Sequence, residues 1–130
     1  MSIIGIISLI SVFALQGVRS SSRDNQRKND LAYIRAQIEL YKSDCDKYPT
    51  TLPAVGSSLK GDGSSASCAV ANTYIASRPK DPTTGRDYYY SGATATYVLC
   101  AALETAPNPA DTCPGVCGTG ITCNYKTINP

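Results

Sequence analysis

The chain has no histidine and no tryptophan, and a single phenylalanine and a single methionine among its 130 residues. Without histidine, acid–base catalysis near neutral pH and imidazole metal ligation lose their commonest residue. The carboxylates do not fill that gap. Asp81, Asp87, Glu104 and Asp111 are scattered over turn-rich stretches, without the paired spacing or the neighbouring nucleophile that catalysis needs. The expectation is a protein that is not an enzyme. The shortage of large apolar side chains also bounds the core, since so small a domain gains little stability from burial alone. Two further absences are local: no charged side chain occurs before Arg19, and no proline before Pro49. Nothing in the first third of the chain would break a helix outright.

What is present fits one long helix over residues 1–48, followed by a globular part over 49–130. Residues 2–18, SIIGIISLISVFALQGV, are uncharged and rich in Ile, Leu and Val. At helical rise they span about 25 Å, short of the roughly 30 Å hydrocarbon core of a bilayer. No basic residue precedes this run and Arg19 follows it at once, the pattern of a retained helix rather than a removed signal. Gly5, Ser8, Ser11 and Ala14 place a small side chain every third residue, which lets helices approach closely. Gly17 and Ser20 to Ser22 are poor helix formers, and a local loosening is expected there.

Beyond them Leu31, Ile34, Ile38 and Tyr41 recur at helical spacing, flanked by Tyr33, Ala36, Gln37 and Leu40, and this stripe is predicted to carry the globular part. Arg23, Asp24, Arg27, Lys28, Arg35, Glu39 and Lys42 are assigned to an opposite, solvated face, with Glu39 paired to Arg35 and Lys42. Tyr48-Pro49 stops the helix, because the residue before proline avoids helical geometry.

The remainder reads as loops around a few strands. Gly61-Asp62-Gly63-Ser64-Ser65 suggests a flexible tip, and residues 68–75 a short helical turn. Arg78 to Asp87 forms a proline-stiffened connector. Tyr88 to Ser91 and Thr94 to Leu103 read as two strands joined at Gly92-Ala93. In the second of these, Ala95, Tyr97, Leu99, Ala101 and Leu103 face the helix. Ile121 to Ile128 forms a third, edge-like strand. The predicted fold is α+β: a long N-terminal helix packed on a small antiparallel sheet.

Six cysteines, Cys45, Cys68, Cys100, Cys113, Cys117 and Cys123, all follow the apolar run. Their even number in a short chain reads as a disulfide framework formed in an oxidising compartment, which compensates for the meagre core. Sequence alone does not choose among the pairings. The favoured arrangement joins Cys45 to Cys68 and pairs the other four cysteines within the C-terminal half. A zinc site at Cys113, Cys117 and Cys123 is the rival reading, weakened by the lack of histidine and of a paired CxxC. A net charge of +2, with acids and bases interspersed, implies no dedicated nucleic-acid surface.

Taken in order, these stretches resemble the type IV pilin and type II secretion pseudopilin family. SIIGIISLISVFAL is similar to the second part of the family's hydrophobic helix, and DLAYIRAQIELYKSDCDKYPTTL to its helix end with a Tyr-Pro stop. SRPKDPTTGRDYYYSG leading into TATYVLCAALE is similar to the Pro-Lys-Asp-Pro turn and strand pair of major pseudopilins. The departures are a missing acid before Asp24 and a missing helix proline near Phe13. Aligning Gly5 with the family's mid-helix glycine leaves about nine residues of the family pattern ahead of Met1, enough to complete a membrane span.

The resemblance implies a structural subunit, held in the inner membrane and then stacked into an extracellular or cell-surface filament by pilus or secretion machinery. Its polymerisation helix would use Ile3, Ile4, Gly5, Ile6, Ile7, Leu9, Ile10, Val12, Phe13 and Leu15. The leading expectation is a type IV pilus or pilus-like fibre; a major pseudopilin of a type II secretion system and a non-polymerising membrane-tethered binding module are the alternatives. No cofactor is expected. Some pseudopilins bind calcium in their loops, and Glu104, Asn108 and Asp111 are the residues that would do so here.

Overall fold

The computed structural model describes residues 2–130, with side chains described from residue 15 onward. One helix, α1, runs from Ser2 to Cys45. It passes through Gly17 and the serine triplet without a break, so the loosening expected there is not found; the Ser20 hydroxyl donates to the Gly17 carbonyl at 3.0 Å and stays within the helical register. The helix ends where Asp46 adopts a left-handed φ of 59°, its amide donating to the Lys42 carbonyl at 2.9 Å. This is a common helix-ending geometry, and Asp tolerates it better than most non-glycine residues.

Five short strands follow: β1 (Leu59–Lys60), β2 (Thr73–Ile75), β3 (Tyr89–Gly92), β4 (Tyr97–Ala101) and β5 (Tyr125–Ile128). β1 and β2 form an antiparallel ladder, and β3, β4 and β5 an antiparallel sheet with β4 at its centre. The helical turn expected over 68–75 is therefore corrected to a loop and a strand. Thr73, Tyr74 and Ile75 suit a pleated surface, and Tyr74 and Ile75 are buried against the helix end.

The β3–β4 connection is also longer than expected. Gly92 pairs with Tyr97, leaving Ala93 to Thr96 as the loop, closed by a 2.8 Å bond from the Ala93 amide to the Thr96 carbonyl. Thr94 is drawn out of the ladder because its carbonyl accepts from the Tyr48 amide. Nor is the 61–65 tip loose: Asp62 pairs with Lys47 at 2.5 Å and accepts from the Ser64 amide at 2.8 Å, while the Gly63 amide donates to the Cys68 carbonyl.

Two cores lie on either side of β4. On the helix side, Leu31, Ile34, Ile38 and Tyr41 pack with Tyr97, Leu99 and Ala101, together with Tyr74, Ile75 and Tyr88. On the other side, Cys100, Ala102, Cys117 and Cys123 form a second cluster, flanked by Tyr89, Val98 and Ile121. The period of two along β4 thus feeds both cores.

All six cysteines are paired, as Cys45–Cys68, Cys100–Cys113 and Cys117–Cys123, so none is left as a thiolate for zinc. β5 is one of the two sheet edges, and its outer side is partly occupied: the Lys126 amide donates to the Asp111 carboxylate at 2.9 Å, and the Asp111 amide to the Asn124 carbonyl at 3.1 Å. Covering an edge in this way removes a template for unwanted strand pairing.

Candidate functional site

The feature that distinguishes this molecule is the length of α1 left over once the domain has been covered. Among the described side chains, Leu15 and Val18 are exposed, by 55% and 67%. The side chains of Ile3, Ile4, Gly5, Ile6, Ile7, Leu9, Ile10, Val12 and Phe13 lie outside the described residues. Contact with the chain's own domain begins at Arg23 and Asp24. The Arg23 guanidinium binds Glu104 through two hydrogen bonds, at 2.6 and 2.5 Å. Asp24 accepts from the backbone amides of Glu104 and Thr105, both at 2.8 Å.

Arg27 is the centre of this junction and is fully buried, at 0% exposure. Its guanidinium donates to both oxygens of Asp81, at 2.8 and 3.0 Å, to Asp24 at 2.7 Å, to Glu104 at 3.0 Å and to Thr83 at 2.8 Å. The solvated face assigned to Asp24 and Arg27 is therefore corrected: both are interior. A buried cation survives only with this degree of pairing, because an uncompensated charge in the interior is costly. Burial works against the charged guanidinium, but the hydrogen bonds to Asp81, Glu104 and Asp24 outweigh it and raise its pKa. The Glu104 carboxyl is lowered to about 2, chiefly by its hydrogen bonds from Arg23, with burial opposing and Arg27 assisting. The Asp81 carboxylate also ties down its own loop, its Oδ1 accepting from the Thr83 amide at 2.7 Å.

Further along α1, each remaining helix acid before the cap accepts a tyrosine hydroxyl from the domain. Tyr88 donates to Asp30 at 2.6 Å, Tyr48 and Tyr97 donate to Glu39 at 3.0 and 3.1 Å, and Tyr74 donates to Asp44 at 3.0 Å. Glu39 consequently faces the domain, and among the described residues it forms no ion pair with Arg35 or Lys42. Sequence reading missed this belt. The available signal was the count of nine tyrosines in a small chain, since a buried phenol needs an acceptor. Tyr33 and Leu40, read as flanking the packed stripe, point outward and are 41% and 51% exposed.

The remaining candidates are dispersed in role. Glu104 is engaged by the two arginines, Asp111 by the β5 edge, and Asn108 lies in an exposed segment at a cis bond to Pro109. Cys45, Asp62 and Cys68 form a tight trio of would-be metal donors, but the two sulfurs are joined to each other. Among the described residues no helix is long and apolar enough to cross a membrane.

A single helix that outruns its domain, packed on a small antiparallel sheet and stapled by disulfides, defines a pilin-like α+β fold. The family described as "Type II secretion system (T2SS), protein G" matches residues 14–102, and the chain belongs to that family, the pseudopilins. Neither the curated proteins nor the solved structures compared with it give a match. The matched stretch covers the exposed helix segment from Leu15, the clasp at Arg27 apart from Glu104, both ladders up to the end of β4, and the first cystine. The C-terminal module, with Cys113, Cys117, Cys123 and β5, lies beyond it.

Proposed function

We propose that this chain is a structural, non-catalytic subunit of a pseudopilus, a helical filament built by packing α1 of each copy against its neighbours and assembled by secretion machinery. The single observation that carries the reading is the unmatched length of α1: the domain covers the helix from Arg23 to Cys45 and leaves Leu15 and Val18 bare. An apolar helix front is satisfied by lipid before assembly and by other helices afterwards, and close packing replaces lipid contact at little cost. Residence in the inner membrane as a subunit follows from the same uncharged run.

Family membership supports a secretion filament ahead of the pilus expected at first. An exposed external fibre is the second reading, supported by the cystine-stapled module outside the matched residues.

Electron microscopy of filaments assembled by cells that express the chain, with the chain identified by antibody, tests the proposal. Labelled short fibres tied to the cell envelope are expected. A chain that stays monodisperse in detergent and is absent from every filament would favour a membrane-tethered module instead, and long detached fibres carrying it would favour the pilus.

A further inference from the structure

Two open grooves lie side by side where α1 leaves its uncharged run. One, about 570 Å³, is lined by Gln16, Gly17, Arg19, Ser20, Arg23 and Glu104. The other, about 450 Å³, is lined by Arg23, Pro82, Thr83, Thr84, Arg86 and Glu104. The Arg23–Glu104 pair forms the partition between them. The acids here are already committed: Glu104 to Arg23 and Arg27, and Asp24 and Asp81 to Arg27. Arg19 and Arg86 have no carboxylate partner among the described residues, Arg86 using one nitrogen on the Ala102 carbonyl at 2.8 Å. Each groove therefore holds one uncompensated guanidinium beside hydroxyl side chains, Ser20 in the first and Thr84 in the second.

Height along the helix supplies the second constraint. The uncharged run ends at Val18, so at helical rise Arg19 and Arg23 stand about 2 to 8 Å beyond it. The interfacial layer on each side of a bilayer is about 5 to 8 Å deep. With the run embedded, the first groove opens at the level of lipid phosphates, and the second adjoins it across the shared Arg23 and Glu104. Guanidinium groups match phosphate oxygens by paired hydrogen bonds.

We infer that these grooves seat the phosphodiester headgroups of anionic phospholipids, with Arg19 and Arg86 as the binding cations. The inference rests on the proposed membrane residence of the unassembled subunit. The seat lies at the edge of the Arg27 clasp, so bound lipid holds the domain against the bilayer, and assembly must release it.

The test uses the full chain. Flotation with phosphatidylcholine vesicles reads membrane residence alone. Mass spectrometry of the lipids that stay with the detergent-purified chain, after exposure to an equal mixture of phosphatidylcholine and phosphatidylglycerol, reads the seat. A cation near a membrane surface changes anionic-lipid occupancy by about fivefold. Phosphatidylglycerol is expected to be enriched several-fold, to lose about that factor in each of Arg19→Gln and Arg86→Gln, and to recover in part in Arg86→Lys, which keeps the charge without the paired hydrogen bonds, while Lys60→Gln changes nothing; circular dichroism verifies that each variant folds. A chain that floats with phosphatidylcholine but retains the two lipids in the supplied ratio overturns the seat and leaves membrane residence standing. Equal losses in Lys60→Gln, or inorganic phosphate displacing the lipid without regard to its acyl chains, also overturn it. A chain that floats with no vesicle overturns both.

Discussion

On the helix side of β4 the interior is filled by long side chains reaching across from α1: Leu31, Ile34, Ile38 and Tyr41 against Tyr97, Leu99 and Tyr88. On the far side the interior consists of Cys100, Ala102, Cys117 and Cys123, four small residues flanked by Tyr89, Val98, Cys113 and Ile121. The first core has volume and hydrogen-bonded phenols to hold it. The second has too little apolar area to fold by burial, and covalent links stand in. In the chain-entropy description, bridges closing the spans of 13 and 6 residues contribute about 3 and about 2 kcal/mol. The helix-side core adds one bridge, Cys45–Cys68, to extensive packing, whereas the far side depends chiefly on its two.

The largest expected effect lies at the helix-side junction. Arg27→Ala would leave Asp81 and Asp24 buried beside an empty site, and a loss of about 3 to 5 kcal/mol is expected from urea unfolding. The C-terminal module should keep its two bridges in this variant, as peptide mapping would show. Ile38→Ala removes a fully buried side chain from the same core and should cost about 2 to 5 kcal/mol. Replacing Cys100 and Cys113 together by alanine should cost about 3 kcal/mol. In native-state hydrogen exchange that loss should appear in β5 and the 103–124 segment before it reaches α1, and simultaneous loss of protection in both would mean that the two cores are one cooperative unit.

Solution pH separates the regions more gently. Tyr88, Tyr90 and Tyr97 belong to or pack on the helix-side core, and burial above all raises the pKa of each above 10.0, aided at Tyr88 by Asp30 and at Tyr97 by Glu39. A raised folded value means stability that is complete below pH 10 and lost as pH rises beyond it. Alkaline titration followed by tyrosinate absorbance and circular dichroism should therefore open the helix-side core first. At the acid end Glu104 behaves in the opposite sense: its carboxyl lies at about 2 against an ordinary 4.5, so its contribution is complete above pH 4.5 and falls away between there and about 2. Glu104→Gln should flatten that acid limb.

The sequence made some of this legible and hid the rest. The stripe Leu31, Ile34, Ile38 and Tyr41 declared itself by helical spacing, and the alternation along β4 told its two faces apart. Arg27 and Asp24 did not, because a charged pair three residues apart looks the same on a solvated face as under a folded-back turn; only Asp81, 54 residues away, makes the difference. The tyrosine-to-acid belt was hidden for the same reason, since its partners are joined by the fold rather than by spacing. Gly115 is another such case: the Tyr89 ring lies so close that a Cβ there would collide with it, and no local pattern reveals this.

The division of α1 into an assembly segment and a domain segment is tested most directly by hydrogen exchange of α1 amides in the detergent-dispersed subunit and in the assembled filament. Amides from Arg27 to Cys45 should be protected in both states. Those of residues 15–23 should gain protection only on assembly, by at least tenfold, which corresponds to about 1.4 kcal/mol. Filaments in which residues 15–23 exchange as fast as in the dispersed subunit would contradict a role for this helix in holding copies together.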